Sequence, residues 1–418
     1  MQHRFEIWAS PEPTVARIDA LTWRDQLAET GHEAREGDIA LLAGLGVAAS
    51  RYPVLWEKHA PREAAQPDFA WARRRLEGLR ARGVEPVVTL LHHGSGPAFT
   101  SLVDPDFPTH FARYAGAVAR AFPWVQRWTP INEPLTTARF STLYGHWYPN
   151  GCDDHAAFGR AITNEALAML LAMEAIRAYA PGARFVLTED LQSFTSLDRA
   201  TDAFVAHKRE RSFLSIELVM GRVVPGHGLY RYLTESCGIE PSRLRAIAER
   251  AQPPDLIGWN YYPNSERTLD LDGSGAIRNR PSREVLESPI SPRPLLVAAH
   301  ERLGLPFGLS EVHVNASAEG RVRWLAQRYG DLVALERAGF PVRMLGSWAV
   351  FGMVDWDSLL TRREEYREDG AFAFAAATEA PQPTALAAAV LSLARGAGLE
   401  PAGEPQWWET GAAPAALA

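Results

Sequence analysis

Two glutamates stand at the ends of apolar runs, far apart along the chain. Glu133 lies in "TPINEP" (129–134), between an asparagine and a proline, and Glu311 lies in "GLSEVH" (308–313). Other polar residues end similar runs: Arg51, then His92 and His93, Asn132, then Asn260, Tyr261 and Tyr262, and finally Trp348 with Asp355 and Trp356 just beyond. Two carboxyl groups facing one another across a shared space suit cleavage of a glycosidic bond. One protonates the leaving oxygen while the other attacks or assists at the anomeric carbon. A separation of ~5–5.5 Å serves the retaining route and ~6.5–9.5 Å the inverting one. Burial and the negative charge of Glu311 are expected to raise Glu133, so that it starts protonated. Arg51 and the hydroxyl of Tyr262 are expected to keep Glu311 ionised. Asn132 is positioned to hydrogen-bond the sugar 2-OH.

The elements that must carry these residues are short apolar runs alternating with amphipathic stretches. Strands are expected at Arg4–Trp8, Val47–Tyr52, Pro86–His92, Arg127–Asn132, Arg184–Glu189, Asp255–Asn260, Pro306–Glu311 and Arg343–Trp348. Helical spacing of apolar residues marks Thr163–Tyr179 and Arg321–Arg337. Eight strands alternating with helices predict an α/β fold, a (β/α)8 TIM barrel forming a single domain with long βα-loops over residues 1–400. A doubly wound open sheet shares the same alternation. In a barrel the active site collects at the C-terminal ends of the strands, which is where the polar residues fall. "RTLDLDGSGAIRNR", within the polar stretch Asn264–Pro294, reads as a hairpin on a long loop. The Ala/Pro/Gly-rich end, Pro401–Ala418, reads as a frayed tail.

Composition narrows the partners. Of 418 residues 46% are hydrophobic and 22% charged, as in ordinary globular proteins. A formal charge of −7 leaves no basic footprint for nucleic acid. No apolar run is long enough to span a membrane, and "MQHRFEIW" lacks the apolar core of a secretion signal. Two cysteines, Cys152 and Cys237, cannot build a disulfide framework, so a cytoplasmic location is expected. Neither G-x-G-x-x-G nor a P-loop occurs. His110, His146 and His155 join the two strand-end histidines in raising zinc, but no H-x₃₋₅-H or H-E-x-x-H spacing is present and no metal is expected. Thirteen tryptophans suit a cleft in which flat rings stack on sugar faces.

The chain resembles glycoside hydrolase family 1, the β-glucosidase-like retaining glycosidases, as a divergent branch. "RWTPINEP" (127–134) resembles the strand-4 acid/base motif and "DLIGWNYYP" (255–263) the strand-6 motif. "RYPVLWE" (51–57), "LLHHGSGP" (90–97), "LYGHWYPNG" (143–151) and "GLSEVH" support it by order and spacing. The resemblance implies Glu133 as acid/base and Glu311 as nucleophile, without cofactor or metal. It also implies Arg51, His92, Asn132, Tyr262, Trp348, Asp355 and Trp356 around a small-molecule glycoside. Departures are visible. "SPEPTVARI" (10–18) offers Glu12 and Arg17 where the family has a sugar-gripping glutamine. Asp355 replaces a glutamate, and Val312-His313 replaces Asn-Gly. The implied reaction is hydrolysis of a β-glycoside by double displacement. A transglycosidase of the same superfamily and a non-catalytic sugar-binding barrel are the alternatives. Plainer roles exist for each residue: Glu133 as a helix cap, Glu311 as an ion-pair partner of Arg51, Asp355 as a loop acid, and the histidines, Tyr262 and tryptophans as packing.

Overall fold

The computed structural model describes residues 3–63, 66–286 and 290–410. Eight strands close into a barrel in chain order: β1 (Glu6–Ala9), β2 (Ala49–Pro53), β3 (Glu85–His92), β4 (Arg127–Asn132), β5 (Arg184–Asp190), β6 (Leu256–Tyr261), β7 (Phe307–Val312) and β8 (Val342–Ser347). Every neighbouring pair is parallel, and β8 pairs with β1. Each corresponds to one expected strand, and the open-sheet alternative falls. The reason is visible in the strands. In β3, "EPVVTLLH", every residue after Glu85 is buried. Strands covered on both faces read as continuous apolar runs. One residue from each of six strands (Trp8, Ala49, Val87, Val186, Leu256 and Met344) meets inside the barrel. The larger core lies between strands and helices.

The helix His155–Arg177 begins where Asp154 accepts from the backbone N–H of Ala157 at 2.8 Å. That bond satisfies one of the free amide groups of its first turn. It starts well before the expected Thr163, because its first turns, "HAAFGRAI", are rich in alanine and glycine, whose small side chains mark no clear apolar stripe. The helix Ala318–Arg337 fits the expected span more closely.

Two expectations change. The hairpin exists, Glu266–Leu271 against Ile277–Pro281, but it belongs to a three-stranded sheet. Its partner is Ser193–Ser196, from the loop after β5, joined in parallel with Arg267 opposite Phe194. Nothing local in the sequence announces a pairing between segments so far apart. The tail is not frayed from 401. Trp408 is buried against Trp324, its ring centroid 5.5 Å away, and Glu409 pairs with Arg323 at 2.6 Å. The composition of the end masked two large apolar side chains: Trp408 packs on the helix Ala318–Arg337, and Trp407 stacks against Arg283. Residues 411–418 lie outside the described residues.

Candidate active site

Glu133 follows β4 and precedes the helix Pro134–Thr142. Pro134 suits the first helical position but bars right-handed helical geometry at the residue before it. Glu133 accordingly sits at φ 46°, ψ 59°. Such left-handed backbone costs a non-glycine residue of order 1–2 kcal/mol. Its backbone N–H donates to the Thr188 carbonyl at 3.0 Å. His93 and Asp355, at the ends of other strands or just past them, also have positive φ, 55° and 54°.

Register matters as much. Between Trp128 and Asn132, β4 gains one residue relative to β5. Between Leu309 and Glu311, β7 gains one relative to β6. An extra residue re-aims the side chains after it. Both carboxylate-bearing strands carry such an irregularity just before the carboxylate.

Glu133 and Glu311 line one cavity of about 660 Å³ at the C-terminal ends of the strands. Both are almost wholly buried. Arg51 donates to Glu311 Oε1 and the Tyr262 hydroxyl to Oε2. Glu133 Oε1 accepts from Asn260 Nδ2 at 2.5 Å. Its nearest basic group is His93, whose Nε2 lies 4.0 Å from Oε2. Burial pushes His93 down to about 3, so that ring is neutral. Burial raises Glu133 well above the usual carboxylate range, and the charges of Glu311, Asp190 and Glu189 push the same way. Burial also raises Glu311, against the pull of Arg51 and the Tyr262 hydrogen bond. A carboxyl with a guanidinium partner ionises before one without. The proton therefore belongs to Glu133.

The other expected residues divide into walls and supports. Tyr262, Trp348 and Trp356 line the cavity. Arg51 sits under Trp348, its guanidinium carbon 4.6 Å from the ring centroid. Asn132 is fully buried, and its Oδ1 accepts from Arg51 and, at 2.8 Å, from Thr188. Its Nδ2 lies 3.1 Å from His92 Nε2 and 3.4 Å from His93 Nε2. His92 is stacked on Trp348, 5.5 Å between centroids, while His93 is the one of the pair in the cavity wall. The positive φ of His93 breaks the strand alternation after His92, so both rings reach Asn132, and the order of the two histidines alone does not say which one lines the cavity. Asp355 is outside the wall. It pairs with Arg24 at 2.8 Å and accepts from the N–H groups of Glu364 and Tyr366.

The residues at the departures from the family's pattern part ways, and Glu189 was given no role in the sequence reading. Glu12 lines the cavity and accepts from Trp348 Nε1 at 3.0 Å and from the Thr14 N–H at 2.9 Å. Burial lifts it to about 7. Arg17 instead packs on Tyr148, 3.7 Å from the ring. Both ring nitrogens of His313 are engaged, by the Trp348 carbonyl at 3.1 Å and by Glu368 at 2.9 Å. Glu189, raised by burial to about 7, accepts from the Leu135 N–H at 2.9 Å and so caps the helix behind Glu133. Its place at the end of an expected strand was the signal. Among the described residues, Glu210, Glu217 and His227 bring possible metal-ligand atoms within 4.8 Å of one another. Arg302 already donates to both glutamates at 2.7–2.9 Å, so a cation occupies that spot.

A closed parallel barrel with paired carboxyl groups at its mouth defines a class of glycosidase-like proteins, and comparison supplies the family. The model described as "Glycosyl hydrolase family 1" matches residues 16–290, so the chain belongs to that family. The match includes Arg51, Glu133 and Tyr262 and ends before Glu311. "Beta-glucosidase 4" of Oryza sativa subsp. japonica is 30% identical over 129 residues, 29% of this chain and 27% of that protein. "Beta-glucosidase A" of Thermotoga maritima is 23% identical over 249 residues, 57% of this chain and 55% of that protein. These alignments span between about a quarter and a half of the curated relatives. The solved "Beta-glucosidase from Thermotoga maritima in complex with deoxynojirimycin" superposes with a TM-score of 0.76 at 16% identity, covering 96% of this chain and 100% of that one. At that identity the likeness is one of fold. No helix among the described residues is long and apolar enough to cross a membrane.

Proposed function

We propose that the protein is a retaining β-glycosidase. Glu311 attacks the anomeric carbon as Glu133 gives its proton to the leaving oxygen, and a glycosyl-enzyme ester forms. Water then attacks that ester while Glu133, now a carboxylate, takes the water's proton. The second inversion restores the β configuration and regenerates both side chains. The observation that carries this reading is the asymmetry of the pair: two buried carboxyl groups in one cavity, one held by Arg51 and Tyr262, the other without a cation. That is the division of labour the double displacement needs.

Trp348, Trp356, His93 and Glu12 are proposed to hold the sugar, with Glu12 standing in for the family's glutamine. A carboxyl at about 7 both donates and accepts near neutral pH, as an amide does. Asn132, His92 and Asp355 then act behind the wall, by orienting Arg51, Trp348 and the strand-8 loop. A purely sugar-binding barrel has no need to hold one carboxyl protonated beside an ionised partner.

The test is Glu311→Gln against a panel of aryl β-glycosides. Turnover should fall by several orders of magnitude with an unchanged melting temperature. Turnover near that of the native enzyme rejects the assignment.

A further inference from the structure

Glu133 on β4 and Glu311 on β7 divide the barrel mouth into two arcs. Strands β8, β1, β2 and β3 form one, and its wall is Trp348, Trp356, Glu12 and His93. Strands β5 and β6 form the other. Together with the segment after β4, their loops bring Arg139, Tyr144, Phe194, Lys208 and Arg267 into the same cavity.

The second wall is cationic to an unusual degree. Arg139 and Lys208 are 3% and 5% exposed, and Arg211, packed behind them, is 5% exposed. None of these three, nor Arg267, has a carboxylate within 4.0 Å among the described residues. Arg139 donates to the Leu135 carbonyl and to Thr136 Oγ1. Arg267 donates to Asn279 at 2.9 and 2.7 Å. Among the described residues Lys208 Nζ has one hydrogen-bond partner, the Tyr144 hydroxyl at 3.5 Å, and lies 4.8 Å and 5.2 Å from the ring centroids of Phe204 and Phe194. Buried charges ordinarily carry a partner. The buried Arg24, Arg35 and Arg328 elsewhere in the chain meet Glu29, Asp38 and Asp331. The nearby acids are Glu284, which pairs with Arg283 at 2.7 Å, Asp190 and Glu189. Asp190 accepts from Gln192 and Ser265, and Glu189 caps its helix and is lifted by burial to about 7. The positive potential left over draws the Tyr144 phenol down to about 7 despite burial.

We infer that this second compartment binds the leaving group and is built for an anionic aromatic one, an aryl carboxylate whose ring lies among Phe140, Tyr144 and Phe194 and whose charge meets Lys208, Arg139 and Arg267. The inference rests on the glycosidase reading for which side of Glu133 the leaving group takes. The anion site itself does not. Its chemistry is charge-assisted hydrogen bonding by cations that have no acid of their own, flanked by aromatic faces.

The experiment compares β-glycosides of 4-hydroxybenzoate and 4-hydroxybenzamide on each sugar of a panel. The two leaving groups match in shape and differ in charge. At low salt kcat/KM for the benzoate is expected to exceed that for the benzamide by about ten- to a hundredfold, the size of one charge-assisted hydrogen bond. The ratio should shrink as salt rises. It should also drop severalfold in Lys208→Met, which keeps the apolar stem against Phe194, and independently in Arg267→Gln, each checked by melting. Calorimetric titration with free 4-hydroxybenzoate and 4-hydroxybenzamide reads the site without turnover. Where glycosides are cleaved the kcat/KM ratio decides, and a ratio near one overturns the inference while the glycosidase reading stands. Where none is cleaved the titration decides. Selective binding of the benzoate then supports the anion site and removes the glycosidase reading, and equal or absent binding overturns both.

Discussion

Glu133 and Glu311 are the same residue type, buried to the same degree, and differ in what touches them. Arg51 and Tyr262 reach Glu311, and an amide, Asn260, reaches Glu133. General acid catalysis is worth about 10²–10⁴ in rate. Glu133→Gln should therefore lower kcat/KM by about that factor for phenyl glycosides and far less for dinitrophenyl glycosides, whose leaving group needs no proton. Steady-state kinetics on the two substrates check it, and equal losses would count against the role. The pH profile carries the same asymmetry. In the proposed mechanism the active form has Glu311 ionised and Glu133 protonated. Rate falls as pH drops through the raised pKa of Glu311, and falls again as pH climbs through the still higher one of Glu133. Arg51→Met removes the charge that restrains Glu311, so the acid limb should move to higher pH. An acid limb that stays put is the contrary result. These residue types, and their meeting at the ends of barrel strands, were legible in the sequence. The choice of His93 over His92 for the cavity wall was not, because it depends on which way a strand's last residues turn.

At the scale of elements, the site depends on how strands end and helices begin. β4 and β7 each hold one more residue than a neighbour before delivering a glutamate, and Pro134 starts a helix directly behind Glu133. The helix His155–Arg177 buries most of its length against the barrel and is capped by Asp154. Asp154→Ala should lower stability by about 0.5–2 kcal/mol, read as a shift in urea midpoint at constant m-value. Strand existence was plain from apolar runs, since both faces of a barrel strand are buried. Register was hidden, because one inserted residue changes no composition and no periodicity that a short run can display. The three-stranded sheet that carries Phe194, Arg267 and Asn279 was half visible, as a hairpin. Its third strand joins through hydrogen bonds between distant segments, which no local pattern encodes.

Across the whole molecule, buried acids make stability depend on pH. Glu57 is lifted to about 8 by burial, with Oε1 accepting the Gly96 N–H at 3.2 Å, and Glu12 stands near 7. Their folded pKa values exceed the unfolded ones. The contribution of these two acids to the folded state is therefore greatest below the usual carboxylate range and is lost as pH rises towards 8. Glu57→Gln should melt close to the native protein at pH 5 and above it at pH 9, by roughly 2–4 kcal/mol in free energy. A native melting temperature that does not fall between those values would contradict the burial of a protonated acid. The sequence by itself determined the eight-stranded barrel, the family likeness and the two glutamates, because apolar runs and short motifs are local records of burial and chemistry. Only the tertiary structure decided that Glu12 joins the cavity wall, that Asp355 turns away to Arg24, and that a group of cations without acidic partners gathers on the side of β5 and β6. Each of those outcomes is a distance between segments far apart along the chain or a direction set by register, and neither quantity exists until the chain has folded.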